Sequence, residues 1–273
     1  MRTLLTVLAI VAGIYLAIAL AAWAAQGQLI YPALRGQSVP EESYEVVALP
    51  TADGLELRVF WREGEPGKPV VLYFHGNGGT LAGSTQATRA LVAAGFSVLL
   101  PAYRGYEDNE GTPHEKGLYT DGRAALAWLA DKGVAPENLV VIGNSIGTGP
   151  AMQMASEVDP LALILISPFT SLPEIAASKM PILPMPLLLR DRYDNSAKIG
   201  SLDMPILIQA GSADTLIPAT HGRALARLAP DADLQIFDGL GHDLNFRPET
   251  DAARVRWLEA EVLQPTAPAT PSE

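Results

Sequence analysis

Leu139-Val140-Val141-Ile142-Gly143-Asn144-Ser145-Ile146-Gly147-Thr148 joins an apolar run to a small-residue run through two glycines and a serine. The apolar run Leu139 to Ile142 predicts a buried strand, the small residues from Thr148 to Ser156 predict a helix, and a G-x-S-x-G sequence joins the two. A serine on so sharp a turn is held in a strained conformation with its hydroxyl exposed, and residues without large side chains must flank it so that strand and helix can approach. Gly143 and Gly147 meet that need. The pattern alone could be a glycine-rich turn that contains a serine; the strand before it and the helix after it make it a nucleophile elbow.

An elbow serine needs a base, an orienting acid and an oxyanion hole, with the acid and then the histidine later in the chain. Met204 to Ala210 reads as a buried strand that empties into Gly211-Ser212-Ala213-Asp214, and Leu234 to Phe237 as a further strand followed by Asp238-Gly239-Leu240-Gly241-His242. Asp214 and His242 are therefore expected to converge on Ser145. Of the other histidines, His75 lies too early in the chain, His114 sits in a polar loop and His221 opens a predicted helix. Asp238 and Asp243 are rival acids, but one ends the strand that carries the histidine loop and the other directly abuts His242. For the oxyanion, the strand Pro69 to Phe74 ends in His75-Gly76-Asn77-Gly78-Gly79, so the backbone amides of Asn77 and Ile146 are the expected donors. Neither G-x-x-x-x-G-K-[ST] nor G-x-G-x-x-G is present, which argues against a nucleotide.

Composition narrows the chemistry. The 273 residues are 48% hydrophobic, enough for a substantial core, and apolar strands alternate with helical segments as in one α/β domain. Nineteen Lys and Arg face 30 Asp and Glu, a net charge of −11 with no basic stripe, so nucleic acid is not an expected partner. The chain has no cysteine and no H-E-x-x-H sequence, so the expected catalysis uses neither metal nor cofactor.

The remaining segments organise around that domain. The 22 residues from Leu4 to Ala25 carry no charge, long enough at about 1.5 Å each to cross a hydrocarbon core of roughly 30 Å. Residues 1–27 are read as a transmembrane anchor. A cleaved signal peptide is the rival, since Arg2 supplies a positive n-region and Ala22-Trp23-Ala24 a small-x-small site. Arg2 on the cytoplasmic side would put the catalytic domain outside. Residues 28–263 form the predicted domain: a hairpin of Ser43 to Leu49 and Leu55 to Trp61 at the sheet edge, then a mostly parallel sheet with helices on both faces. An insertion at about 171–203 contains Lys179-Met180-Pro181-Ile182-Leu183-Pro184-Met185-Pro186-Leu187-Leu188-Leu189, which reads as a short cap. It is either an acyl-binding wall or a segment packed on the core or dipping into lipid headgroups beside the anchor. Residues 264–273 have no apolar period and are expected to be a disordered tail.

Several of these motifs together resemble a known family. The elbow, the His75 to Gly79 loop, Tyr103-Arg104-Gly105-Tyr106, Ser167-Pro168-Phe169-Thr170-Ser171, Arg192-Tyr193-Asp194-Asn195 and Gly241-His242-Asp243 look like the α/β-hydrolase superfamily. Within it they resemble the Bem46-like branch, similar to ABHD13- and ABHD17-type serine hydrolases, from about Val46 to Leu263. The resemblance implies an α/β-hydrolase fold, a Ser145-Asp214-His242 triad and a substrate that is a small acyl ester or thioester. It gives Tyr103, Arg104 and Asp194 structural or pocket-lining places. One departure is Asp243-Leu244-Asn245 after His242, where relatives commonly have Asn-Asp; it touches the support of the histidine loop. The expected function is a membrane-anchored serine hydrolase working through an acyl-enzyme intermediate. The alternatives are a serine aminopeptidase-like hydrolase and a catalytically silent hydrolase fold used for binding.

Overall fold

Val70, Leu72 and Phe74 point to one face of the central sheet and Val71 and Tyr73 to the other, the period of two that any strand imposes on its side chains. Both faces are buried, which is why the strand is apolar throughout instead of alternating. The same division runs through Leu139 to Ile142 and Ala162 to Ile166, so two hydrophobic layers sandwich one sheet. Each fully buried Val or Leu contributes roughly 2 kcal/mol.

The computed structural model describes residues 1–263; the expected tail 264–273 lies outside the described residues. In chain order the elements are α1 (Arg2–Ile30), β1 (Glu45–Pro50), β2 (Glu56–Arg62), β3 (Val70–Phe74), α2 (Leu81–Ala93), β4 (Ser97–Pro101), α3 (Glu115–Asp131), β5 (Leu139–Asn144) and α4 (Thr148–Val158). There follow β6 (Ala162–Ile166), α5 (Leu172–Lys179), α6 (Met185–Leu188), α7 (Ser196–Ile199), β7 (Ile206–Gly211), α8 (Thr220–Leu228), β8 (Asp233–Phe237) and α9 (Pro248–Trp257). The eight strands are ordered β1-β2-β4-β3-β5-β6-β7-β8. The first two form the expected antiparallel edge hairpin, with Val46 opposite Phe60, and β2 runs antiparallel to β4. All later pairs are parallel, so the loops after β3, β5, β7 and β8 open at one edge. That edge is where ligands bind in such sheets. Helices α3, α4 and α8 cover one face through residues such as Leu129, Met152 and Leu225; α2 and α9 cover the other through Leu91 and Trp257.

Helix α1 stands apart from this core. It is long and apolar enough to cross a membrane, with a mean hydropathy of 2.6 over its best window, and nearly all of it is exposed. Directly after its end Tyr31 enters the core, and its hydroxyl meets Asp191 Oδ2 at 2.6 Å and the Tyr193 hydroxyl at 2.8 Å. Ala19 and Ala22 pack against Leu183, Met185 and Leu188 of the insertion.

Candidate active site

The chain leaves β5 at Asn144 and turns through a single 3-10 turn, Ser145–Gly147, into α4. Ser145 has φ +53°, a left-handed conformation that costs a non-glycine residue about 1 to 3 kcal/mol and is kept only where the surroundings enforce it. The enforcement is visible. The Thr148 hydroxyl donates to the Ser145 carbonyl at 2.7 Å, and the Thr148 oxygen in turn accepts from Asn195 Nδ2 at 3.4 Å. A Cβ on Gly143 would lie 2.7 Å from the Ala151 Cβ, and one on Gly147 would strike the Phe74 and His75 carbonyls. Close approach explains both glycines.

His242 Nε2 lies 3.0 Å from Ser145 Oγ, and its Nδ1 lies 2.7 Å from Asp214 Oδ2. The other Asp214 oxygen accepts the backbone N–H groups of Leu216 and Ile217, each at 2.8 Å. Burial opposes ionisation of this carboxyl, but the His242 contact and those amides outweigh it and hold its pKa below the usual carboxylate range. The loops that carry the two residues are fastened together. Ser212 N donates to the Phe237 carbonyl and Ala213 N to the Leu240 carbonyl, both at 2.9 Å, while a Cβ on Gly211 would collide with the Leu240 carbonyl. Asp238 accepts the Ser212 hydroxyl at 2.9 Å and Asp243 pairs with Arg247 at 2.6 Å, so both rival acids are engaged elsewhere.

The loop His75 to Gly79 lies across the elbow. A Cβ on Gly76 would sit 2.9 Å from Asn144 Nδ2 and 3.4 Å from the Ser145 Cβ. Among the described residues the Asn77 N–H has no hydrogen-bond partner, and Ile146 follows the serine directly in the turn. Three side-chain contacts hold the loop: Tyr103 Oη donates to the His75 carbonyl and Tyr106 Oη to the Asn77 carbonyl, each at 2.8 Å, and Asn77 Nδ2 donates to the Ile30 carbonyl at 2.7 Å. His75 itself is buried against the Tyr103 ring, with centroids 4.1 Å apart, and its Nδ1 donates to the Gly76 carbonyl at 2.7 Å. Burial pushes its pKa down to about 4, so it is neutral at pH 7.

His75, expected to be too early in the chain for the base, lies buried under the loop against Tyr103. The paired tyrosines of Tyr103-Arg104-Gly105-Tyr106 were the available signal for that place. Arg104 lies deeper, bridging Asp121 and Asp53 at 2.7 Å each, and Asp194 caps a turn by accepting the Ala197 N–H. His114 sits before α3 near the Thr112 carbonyl, and His221 meets the Thr170 hydroxyl at 2.8 Å.

Ser145 and His242 line a cavity of about 410 Å³ whose walls are mainly apolar, with Leu216, Phe246 and Tyr73 among them. Sequence reasoning missed Leu216 and Phe246 because each stands in a loop whose fold places it. Met180–Leu189 does not line the cavity, which speaks against the acyl-binding wall and for the other reading, a packed segment: Leu183, Met185 and Leu188 pack beside Ala19 and Ala22 of α1. Among the described residues no group of three or more His, Asp or Glu side chains is placed to hold a metal ion.

A family profile for the alpha/beta hydrolase fold matches residues 69–193. The Mycobacterium tuberculosis protein Rv2307c is 37% identical over 272 residues, which cover 95% of this chain and 96% of that protein. The chain belongs to the α/β-hydrolase family. Lysophosphatidylserine lipase ABHD12 of Danio rerio is a further relative of this α/β-hydrolase, 30% identical over 204 residues that cover 66% of the chain and 51% of the lipase. The chain thus spans about half the length of that relative. Among solved structures, Pyrococcus furiosus esterase Pf2001 superposes with a TM-score of 0.67 at 19% identity, covering 84% of this chain and 96% of the esterase. At that identity the likeness concerns the α/β-hydrolase fold alone, which is esterase- and lipase-like.

Proposed function

We propose that the protein is a membrane-anchored serine hydrolase that cleaves carboxylic ester or thioester bonds through an acyl-enzyme intermediate. The observation that carries this reading is the unbroken relay from Asp214 through His242 to Ser145, at 2.7 and 3.0 Å, on the wall of a mainly apolar cavity. His242 Nε2 takes the Ser145 proton as Oγ attacks the acyl carbonyl. The oxyanion that forms is bound by the backbone N–H groups of Asn77 and Ile146. Asp214 keeps the His242 proton on Nδ1 and stabilises the charged ring. The ring then gives its proton to the leaving alcohol or thiol, the carbonyl re-forms, and the acyl group remains on Ser145. Water activated by the same nitrogen attacks that ester and releases the acid.

The aminopeptidase alternative needs a carboxylate that meets the substrate's amine. Glu107 is bound to Ser38 and to the Leu81 N–H, Asp108 to the Gly36 N–H, and Glu174 to the Thr170 hydroxyl. None of the three lines the cavity, and Asp243, which does, is paired with Arg247. That distribution favours esters and thioesters.

Helix α1 is the proposed anchor, with Arg2 on the cytoplasmic side and the hydrolase domain, residues 28–263, outside. Within that domain the proposed cap is the insertion at about 171–203. The test of the activity is hydrolysis of a p-nitrophenyl ester series from acetate to palmitate by the full chain and by Ser145→Ala. Turnover that disappears in the variant is the expected result. Turnover that survives it would move the nucleophile elsewhere, and no turnover on any ester by folded protein would favour the silent-fold alternative.

A further inference from the structure

We propose that Met180–Leu189 is a second membrane contact, seated in the same leaflet as the upper half of α1, and that it brings the mouth of the Ser145 cavity to the lipid surface. The inference rests on reading α1 as a membrane anchor.

The segment touches the helix along its C-terminal half. Tyr15 Oη donates to the Ile182 carbonyl at 3.0 Å, Ala19 packs on Leu183 and Met185, and Gln26 donates to the Leu188 carbonyl at 3.2 Å while accepting the Arg190 N–H at 2.8 Å. From Tyr15 to Gln26 the contact follows about 17 Å of the helix axis. A hydrocarbon core of roughly 30 Å needs about 20 helical residues, so a span that begins at Leu4 reaches about Trp23. Tyr15 then lies about 12 Å below that level, and Ile182 with it. If α1 crosses the bilayer, the segment bound along it shares its depth.

The segment is built for that place. No residue from Met180 to Leu189 is charged, and Ile182 and Leu187 are 73% and 84% exposed. In hydrocarbon each backbone N–H and C=O needs a partner inside the protein. Prolines at 181, 184 and 186 remove three donors outright. The N–H groups of Leu183, Met185, Leu187, Leu188 and Leu189 donate to carbonyls within the segment and that of Met180 to Ala176, which leaves Ile182 as the segment's one N–H without a partner among the described residues. Pro186 gives its carbonyl to Arg192, while those of Ile182 and Leu188 take the two side chains of α1. Cations stand at both ends in a chain that is acidic overall. Arg190 lies over the Trp23 ring at 4.2 Å, the level of the interface, and Lys179 precedes the segment. Arg190 at that level suits lipid phosphates.

The cavity mouth is adjacent. Lys179 Nζ donates to the Thr215 carbonyl, and the next residue, Leu216, is a half-exposed wall of the Ser145 cavity. Phe246, also partly exposed, forms another part of the same wall. An acyl chain leaving the leaflet beside the segment would meet these apolar side chains before it met Ser145.

The chain contains no cysteine, so one introduced thiol can carry an environment-sensitive fluorophore without background. The full-length variants Leu187→Cys, Val39→Cys and Leu8→Cys are labelled and reconstituted into phosphatidylcholine–phosphatidylglycerol vesicles. Quenching by doxyl-labelled lipid is then compared with quenching by aqueous iodide. The expected result is strong doxyl quenching with iodide protection at 187 and at 8, and the reverse at 39. Iodide quenching at 187 as strong as at 39, with 8 still in lipid, would overturn the proposal and leave the anchor standing. An aqueous label at 8 would overturn the anchor reading and the proposal with it. A label at 187 shielded from both quenchers would mean that protein covers the segment, which also overturns it. Ile182→Cys repeats the measurement should Leu187→Cys fail to fold.

Discussion

The side-chain amide of Asn77 donates to the carbonyl of Ile30 at 2.7 Å, so the loop proposed to bind the oxyanion is tied to the last residue of the N-terminal helix. The backbone amide of the same Asn77 is the proposed donor to the transition state. One residue therefore links α1 to the proposed oxyanion site. Asn77→Ala keeps that backbone N–H but frees the loop, and a lost hydrogen bond of about 1 kcal/mol corresponds to a roughly fivefold fall in turnover. The fall should appear in kcat with KM nearly unchanged, read by steady-state kinetics on a p-nitrophenyl ester. A rise in KM alone would assign the contact to substrate binding.

Asp214→Asn should keep the fold and lose the activity. Its remaining oxygen can still accept the Leu216 and Ile217 N–H groups, while its amide would face His242 Nδ1 and favour the wrong tautomer. In a well-studied triad that change costs about ten-thousand-fold in kcat. Turnover and the melting temperature, measured on one preparation, separate the two effects.

His75 should make the protein acid-sensitive. An unfolded histidine takes up a proton near pH 6.5, whereas buried His75 does so only near pH 4. Between those values the unfolded state binds more protons, so stability is lost as pH falls through the window, by roughly 3 kcal/mol in all. The depressed carboxyl of Asp214 acts in the same direction at lower pH. Denaturant melts of wild type and His75→Gln at several pH values test this: the variant should show a flatter slope between pH 6.5 and 4.

Behind the His242 loop, Arg254 is fully buried and bonds Asp251 and Gln209 at 3.1 Å each. Gln209 in turn donates to the Thr250 carbonyl at 3.2 Å. Arg254→Met alone leaves Asp251 buried without its partner and should cost about 3 to 5 kcal/mol. Adding Asp251→Leu should recover most of that loss, measured as the denaturation midpoint of the single and double variants. If the double variant is no more stable than the single one, the cost is packing and not the orphaned charge.

Much of this architecture could be read from local pattern. β5, β6 and β7 are continuous apolar runs because parallel strands are buried on both faces, and the expected strands Leu139 to Ile142 and Met204 to Ala210 lie within two residues of the observed bounds of β5 and β7. Ser145, Asp214 and His242 were legible because each follows a strand, and parallel pairing sends those loops to one edge. Less was legible where a residue's place depends on a distant segment. His75 reads as a glycine-loop histidine until Tyr103 and Tyr106 close over it.

The α/β class, the elbow and the chain order of serine, acid and histidine are local properties, since periodicity and glycine spacing are carried by a few consecutive residues. Only the tertiary structure decided that Met180–Leu189 leans on α1 and not over the cavity, and that Asn77 holds Ile30. The Gln26 contact with Leu188 joins residues 162 positions apart and the Asn77 contact residues 47 apart. An apolar, proline-rich run can pack against any apolar surface that chain topology brings within reach. Its own residues carry no preference between a substrate and a helix, and the path of the chain after Arg190 supplies that choice by holding the segment beside Trp23.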